Sequence, residues 1–520
     1  MSSLRSAPSV RGAEYSAEIA QNLMSYKYEK NESGKYDIVI SGWDEGIADT
    51  PLFGHGNMVN VDIFTNKGLV QAQYAAKKAS GTNVTDLPKW FASDPVTGET
   101  FALDYSGKVY KQSTGWAQLT GNTLTGATGN GLAVFVSQYD PSKSFLFVTR
   151  NGFLDVYNIA TATWTNGFKT LESIIGDHPV YLSSNQRVYI GNKNKVASFE
   201  ERSGVLFDPS NAATYNWNDN ALDLPSYYRI TQLDQIGENL SIGTIVGAQG
   251  ALAKNYADLF LWDRESVSFF RPVSFKTDGI KQILTIKNMI VVYAGSAADL
   301  FTTNGSYANE FIKFENIDFN NSGLVTNAYS GAIDSLTNSE LLIGVSNIVA
   351  GLNPMGVYCI RDGKYVVRNL ISTGKDGSLD IVQIGAVHTY DRNRYYIGWR
   401  SGNTYGIDAV NGDGERYEDW SARVETDLIP VNTNYFPTNL NEVEIRLADK
   451  MMTDQGVRIS WRGSLNDSWS TPVTFDYATT GAVNTYALPI DIVDVKNVQL
   501  KIEILAKDSY SPKLWEVRLR

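Results

Sequence analysis

Three histidines and one cysteine are the whole supply of imidazole and thiol in this 520-residue chain. His55, His178 and His388 are too few and too scattered to suggest a metal cage or a nucleophile and base pair. His178 precedes a proline at the start of a strand-like run, and His388 sits inside the apolar run IGAVHTY, so both read as structural. Cys359 lies in an alternating run and reads as a small buried hydrophobe. A lone cysteine also excludes a disulfide framework within the chain. The strings HExxH, GxSxG and GxxxxGK(S/T) do not occur.

Carboxylates are the more serious source of chemistry, since a pair of Asp or Glu residues flanking a glycosidic bond can hydrolyse it. The sialidase-type string Ser-x-Asp-x-Gly-x-x-Trp is absent, and the nearest stretch, SLNDSWST, lacks its glycine and spacing. Asp104, Asp155, Asp263 and Asp362 fall in turns or at strand ends, where Asp is favoured because it bonds to its own backbone. NGDGERYED (411–419) is similar to a fragment of a calcium loop without the full EF-hand spacing, and reads more simply as a flexible acidic turn. Tyr227, Tyr228 and Trp399 could stack on sugars but are expected to pack a core or an interface. No catalytic, cofactor-binding or metal-ligating residue is assigned, no cofactor is expected, and the chain reads as a non-enzyme.

The elements that would position such groups are β-hairpins. Seven times an alternating apolar run, a tight Gly/Asn/Asp turn and a second alternating run recur: 101–111, 145–159, 187–201, 258–272, 289–305, 356–370 and 394–410. Tandem hairpins at this spacing predict a β-propeller of seven blades, with six or eight as alternatives. Extra strands, LSIGTIVG (240–247) and ELLIGVSNIV (340–349), precede the fourth and sixth hairpins, and those blades read as enlarged by loops such as GAQGALAKNYA. An upstream apolar strand, such as LAVFVSQ or HPVYLSS, completes a blade. Trp-Asp occurs at 43–44 and 262–263 only, and no Gly-Gly pair exists, so WD40 and kelch signatures are missing.

After Asp419 the strands lengthen and alternate more cleanly: Val443, Ile445 and Leu447; Val457, Ile459 and Trp461; Val473, Phe475 and Tyr477; Val498, Leu500, Ile502 and Ile504. Such strands fit a β-sandwich. The expected organisation is an N-terminal arm over 1–35 with a short helical stretch AEIAQNLMSYKYEK, a β-rich docking or ring-closing segment over 36–88, a propeller over 89–419 and a sandwich over 420–520. The fold class is therefore all-β.

Composition agrees: 29 Tyr, 21 Phe, 11 Trp and 44 Gly favour pleated surfaces and tight turns. A net charge of −11 without any Lys/Arg-rich run argues against stable nucleic-acid binding. It remains compatible with a polyanion sliding past an acidic wall. No apolar run approaches membrane-spanning length, and the opening residues read as no secretory leader.

One segment carries a resemblance. SGWDEGIADTPLFGHGNMVNVDIFTNKGLVQAQYA (41–75) resembles the opening of tailed-bacteriophage virion proteins, in which Gly-Ile-Ala-Asp-Ser/Thr-Pro leads to a Met-x-Asn-Val-Asp-Ile strand and a Gly-Val/Leu-Val strand. Here these are Gly46 to Pro51, Met58 to Ile63 and Gly68 to Val70, with Lys67-Gly68 where the family usually has Pro-Gly. Two later stretches, 222–244 followed by 259–266, and the tail from SWS to LWEVRLR, are similar to the same group. The resemblance implies a structural propeller of the tail hub or nozzle type, located in the virion, in a homo-oligomeric ring, sixfold or a multiple, beside other tail or adaptor proteins, with DNA only in transit. It carries over no catalytic residue. A host polysaccharide-binding tail protein and a propeller glycosidase stand as alternatives.

Overall fold

The computed structural model describes residues 26–30, 36–43, 56–79, 84–122, 128–172, 178–246, 257–277, 279–286, 289–294, 299–313, 329–346, 356–362, 364–373, 382–431, 438–481 and 484–520. The chain folds into two compact units, one made of Met1–Ala75, Lys364–Asn369 and Asp413–Arg520, the other of Ala76–Gly363 and Leu370–Gly412.

The second unit is the propeller. Blade 1 runs Pro88–Ser93, Thr100–Asp104, Val109–Gln112, Trp116–Gln118; blade 2 Gly129–Val136, Ser144–Arg150, Phe153–Asn158, Thr163–Thr170; blade 3 Val180–Leu182, Val188–Asn192, Lys195–Glu201, Tyr215–Asp223. Blade 4 runs Tyr228–Ile236, Asn239–Val246, Ala257–Trp262, Val273–Phe275; blade 5 Ile280–Ile286, Met289–Ala294, Asp299–Thr303, Ala308–Lys313. Blade 6 contributes Ile333–Thr337, Glu340–Val345 and Gly356–Arg361, and blade 7 Val382–Asp391, Arg394–Ser401 and Thr404–Asn411. The fourth strand of blade 7 comes from the other end of the unit: Ala76–Lys78 pairs antiparallel with Asp408–Val410. Each first strand packs beside the next, and Val382–Asp391 beside Pro88–Ser93, which closes the ring.

Alternation makes these blades. In blade 2, Phe135, Phe145, Phe147, Leu154 and Val156 are sealed, and they meet Val188, Ile190, Phe199 and Phe207 of blade 3 in one apolar cluster. Burial of each such side chain contributes about 1.5–3 kcal/mol. Close approach between blades demands glycine where first strands meet: a Cβ at Gly385 would fall 2.1 Å from the Pro88 carbonyl oxygen.

Two of the seven hairpins occupy a different place in their blades from the other five. Those at 258–272 and 356–370 begin at the third strand, whereas the others join the second to the third. The strands LSIGTIVG and ELLIGVSNIV are the second strands of blades 4 and 6. Counted from second strands, which begin at Thr100, Ser144, Val188, Asn239, Met289, Glu340 and Arg394, the blades are nearly evenly spaced. The long gaps in the hairpin count are thus a shift of register; the loop residues 247–256 lie outside the described residues. The hairpin at 258–272 also closes later than expected, on Val273–Phe275, because residues 263–268 wind up: Arg264 has φ 70°, and the Trp262 indole donates to the Ser266 carbonyl at 2.7 Å.

The first unit is a sandwich drawn from both ends of the chain. One sheet has the order Tyr26–Lys30, Tyr36–Ile40, Leu514–Leu519, Thr438–Leu447, Thr485–Val495. The other has Asn57–Val59, Ala422–Glu425, Asn497–Leu505, Gly456–Arg462, Val473–Asp476, with Lys364–Asn369 joining through the parallel pair Val59–Val367. Val443, Ile445, Val457, Ile459, Val498, Leu500, Ile502 and Ile504 are all buried, as their alternation requires. Tyr477 departs from that pattern: it opens a short helical turn, Tyr477–Thr480, and is exposed.

The expected N-terminal helix is corrected. Its last five residues, Tyr26–Lys30, form a strand in register with Tyr36–Ile40, from Tyr26 opposite Ile40 to Lys30 opposite Tyr36. A helix of that length is marginal alone, whereas the strand gains a full ladder and places Tyr26 against the core. Residues 17–25 lie outside the described residues.

Candidate functional site

In the first unit the stretch Met58 to Ile63, with the short strands Asn57–Val59 and Val61–Asp62 on either side of Asn60, builds a buried polar node. Asn60, fully buried, takes a left-handed φ of 55°, which Asn tolerates better than most residues. Its amide donates to the Val367 carbonyl at 2.8 Å, its carbonyl accepts the Gln73 amide at 2.8 Å, and its side chain reaches the Ser421 carbonyl at 3.5 Å. Two residues on, Asp62 accepts the amides of Phe64 (3.0 Å) and Thr65 (3.1 Å) and the Gln71 side chain (3.0 Å). Burial alone would raise the Asp62 carboxyl, but Arg368, the Thr65 bonds and Arg416 outweigh it and hold it below the usual carboxylate range. Arg416 in turn lies over the Tyr74 ring at 4.1 Å and donates to the Ser509 carbonyl at 2.9 Å. Asn369 donates to the Tyr74 carbonyl (2.8 Å) and the Tyr417 hydroxyl (3.1 Å). All of these bonds run between groups of the unit itself, and they fasten its strands and loops together. Gly46 to Pro51 and His55 lie outside the described residues.

In the propeller, the first strands share a local device. Register slips by one residue near the start of five of them, leaving Lys89, Asn130, Thr231, Lys281 and Gly385 as the extra residues. Such β-bulges re-aim a side chain. Three of the five, Lys89, Thr231 and Lys281, line a cavity of about 230 Å³ together with Arg229, Ile245, Ile280, Tyr329 and Ser330. Ser330 is held there by Gln232, whose side-chain amide donates to the Ser330 carbonyl at 3.0 Å. Next to it, a Cβ at Gly331 would fall 1.8 Å from the Lys89 carbonyl oxygen, so only glycine fits.

Further along the first strands, neighbouring blades are fastened by polar contacts. Ser144 donates to Asp94 at 2.8 Å between blades 2 and 1, and Ser137 to Glu201 at 2.7 Å between blades 2 and 3. Ser183 donates to Gln235 at 2.7 Å, and the Thr285 amide to Asp234 at 2.6 Å. Burial raises the Asp234 carboxyl above its ordinary value, against these bonds. The Thr389 amide donates to Asp334 at 2.7 Å between blades 7 and 6.

Blades 7 and 1 meet through a serine and a histidine: Ser93 Oγ lies 2.7 Å from His388 Nε2. The sequence holds no sign of this pairing, because ring closure alone joins the two positions. Asp334 Oδ2 is 3.6 Å from His388 Nδ1, which would suggest a hydrolytic triad. The geometry argues against it. That distance exceeds a hydrogen bond, the same oxygen is taken by the Thr389 amide, and Ser93 Oγ also bonds Thr100 Oγ1 at 3.0 Å. The three side chains act as fasteners.

The other carboxylates singled out in sequence fall as follows. Asp104 binds its own turn, accepting Lys108 N (2.9 Å) and Ser106 Oγ (2.8 Å), as well as Tyr110 OH (2.9 Å); burial raises its carboxyl. Asp263 accepts the amides of Glu265 and Ser266. Asp362 sits at φ 52° in a turn. Asp155 is different: it lies mid-strand and pairs with Arg150 at 2.5 Å, both side chains sealed from solvent. Burial pushes Asp155 up and Arg150 down. In the stretch 411–419, Arg416 and Tyr417 are buried and Asp419 caps Ser421. Among the described residues no group of three His, Cys, Asp or Glu side chains is placed to hold a metal ion. Trp399 and Tyr228 are buried and Tyr227 is exposed, so the three make no common platform. His178 is buried, its Nδ1 2.9 Å from the Gly191 carbonyl, and Cys359 is buried in Gly356–Arg361. No helix among the described residues is long and apolar enough to cross a membrane.

No protein-family model matches the chain, and no curated protein matches it. Among solved structures it is similar to a computationally designed protein, Ika8 (TM-score 0.38, 11% identity, 69% of this chain and 97% of that one). It is also similar to the β-propeller domain of Cps50 (Swd1) from Myceliophteria thermophila (TM-score 0.39, 12% identity, 65% of this chain and 100% of that one). A third is the extracellular domain of a putative hybrid two-component system from B. thetaiotaomicron (TM-score 0.42, 12% identity, 91% of this chain and 67% of that one).

Proposed function

We propose that the chain is a structural component of a bacteriophage tail, of the hub or nozzle type, forming part of a ring around the DNA exit channel. The observation that carries this reading is the motif stretch Met58 to Ile63 itself. Asn60 and Asp62, the polar residues of the string shared with tailed-phage virion proteins, are spent on a buried node in the first unit. A motif used for architecture fits a protein whose task is mechanical. The polar fasteners between blades and the closure of blade 7 by Ala76–Lys78 suit a stiff wall. A net charge of −11 suits a conduit from which DNA must not be held. Ring assembly requires head-to-tail contacts that close, sixfold or a multiple, with other tail or adaptor proteins as neighbours.

The experiment is electron microscopy of tailed particles carrying the chain with an epitope tag, together with the solution mass of the purified protein. A ring of tagged density at the tail is expected. Absence of the chain from purified particles, with release of reducing sugar from host polysaccharide, would replace this reading with the glycosidase one.

A further inference from the structure

We infer that the strand pair Tyr26–Lys30 and Tyr36–Ile40 is an acid-sensitive strap, held on the sandwich by a network of charged side chains that turns repulsive when its carboxylates are protonated. The inference does not rest on the tail reading. Arg518 and Arg520, two residues apart and so on one face of the sheet, form the hub of the network. Arg518 lies 3.0 Å from Glu29 and 3.9 Å from Asp37, and it also pairs with Glu516. Arg520 reaches Asp37 at 3.2 Å, Glu442 at 2.9 Å and Glu444 at 2.8 Å. Arg446 joins Glu444 at 2.7 Å to Glu516 at 3.3 Å, and Lys27 pairs with Glu29 at 2.6 Å. The next strand, Thr485–Val495, sets Pro489, Ala487 and Thr485 opposite Glu442, Glu444 and Arg446, and so adds no charge there.

Charge decides how the network answers acid. Four cations, Lys27, Arg446, Arg518 and Arg520, meet five carboxylates, Glu29, Asp37, Glu442, Glu444 and Glu516, so these side chains carry a net −1 at neutral pH and +4 once the carboxylates are protonated. Asp37, Glu444 and Glu516 are 2%, 6% and 8% exposed, and repulsion among the cations left beside them is strongest where water is excluded. The bond from Lys27, together with the Arg518 charge, holds the Glu29 carboxyl below its ordinary value. Its contribution is therefore complete above the unfolded pKa and is lost as pH falls through the folded one. The strap is the part that yields. Among the described residues Tyr26–Lys30 pairs with Tyr36–Ile40 alone, and the two meet the rest of their sheet at three positions, Ile38–Leu519, Val39–Arg518 and Ile40–Val517. Burial of Tyr26, Ile38 and Ile40 seats the strap while the charges balance.

The propeller is built to answer differently. Two of its buried carboxylates take their bonds from neutral donors: Glu201 accepts the Ser137 hydroxyl at 2.7 Å and the Gln138 and Phe207 amides at 2.8 Å, and Asp408 accepts the Ser372 amide and hydroxyl, both at 2.7 Å. Burial raises the Asp408 and Asp234 carboxyls above their ordinary value. The stability linked to them is therefore present below the unfolded pKa and is lost as pH rises, not as it falls. Arg150 and Asp155 pair one to one, so protonation there leaves a single cation and no cluster. Acid thus loosens the strap of the first unit before it loosens the blades.

The test is hydrogen exchange of the full chain, read by mass spectrometry at pH 7 and at about pH 4, within the ordinary carboxylate range, with rates corrected for their intrinsic pH dependence. Protection of the peptides holding Tyr26–Lys30 and Tyr36–Ile40 is expected to fall at least tenfold at the lower pH, while the blade 2 strands Ser144–Arg150 and Phe153–Asn158 keep theirs. Glu29 is half-buried, at the edge of the network. Glu29→Gln is expected to lower strap protection already at pH 7 and to shrink its further loss in acid, with blade 2 at the wild-type level. Unchanged strap protection in acid would overturn the inference, and so would loss of strap and blade 2 protection together. A Glu29→Gln chain that keeps the full wild-type pH response would also overturn it.

Discussion

Ser93 Oγ and His388 Nε2 stand 2.7 Å apart although 295 residues separate them, and this contact joins the last blade of the propeller to the first. Its neighbours decide its meaning, because Asp334 accepts the Thr389 amide at 2.7 Å instead of steering the imidazole. Ser93 is therefore expected to resist a fluorophosphonate probe, and His388→Ala is expected to lower unfolding free energy by about 1 kcal/mol, the usual worth of one hydrogen bond. Intact-mass spectrometry after probe treatment checks the first, and urea unfolding the second. A stoichiometric adduct on Ser93 would return the site to catalysis.

Asp62→Asn removes the carboxylate that faces Arg368 and Arg416 in the sandwich node. Breaking one side of a buried charge arrangement costs about 3–5 kcal/mol. The pH dependence follows from the direction of the shift. The folded-state carboxyl is held below its ordinary value, so its contribution is complete above the unfolded pKa and is lost as pH falls through the folded one. Denaturant midpoints of wild type and Asp62→Asn should converge on acidification and stay apart at neutral pH.

Arg150 and Asp155 form a sealed pair in which the guanidinium nitrogens find no further hydrogen-bond partner among the described residues. Asp155→Ala alone should destabilise by about 3–5 kcal/mol, since it strands a buried cation. The double change Arg150→Met with Asp155→Leu should cost far less, offset only by the loss of the Gly167 amide's acceptor at 2.7 Å. A double-mutant cycle read by urea unfolding measures both.

Ala76–Lys78 closes blade 7, pairing Lys77 with Ala409. A proline at 77 removes a backbone donor and imposes its own φ. In Lys77→Pro, hydrogen exchange in the Thr404–Asn411 strand should rise above wild type, while the interior strands of blade 2 stay protected. Exchange mass spectrometry reads both peptides in one experiment.

The strands and the blade number were legible because alternation and tight turns are local. Phe145, Phe147, Leu154 and Val156 announce a buried hairpin without reference to anything distant. Register within a blade was not legible for blades 4 and 6, where strands two and three are far apart in sequence and the nearer hairpin takes their place. Asp155 read as a turn residue because its partner Arg150 comes from the facing strand and becomes relevant only when the hairpin closes. The cavity had no signal at all: Lys89, Arg229 and Lys281 are ordinary charged residues until β-bulges and ring closure bring them together. The same holds for Ser93 and His388. By contrast, Asn60 and Asp62 stood out in a recognisable string, and the structure supplies their physical use.

The central claim is that this propeller and sandwich form part of a tail ring. Cryo-electron microscopy of purified particles, with the tagged chain located in the averaged density, tests it most directly. A closed ring of chain copies around the tail axis, sixfold or a multiple, is the predicted result; particles whose tail density contains no copy of the chain would contradict it.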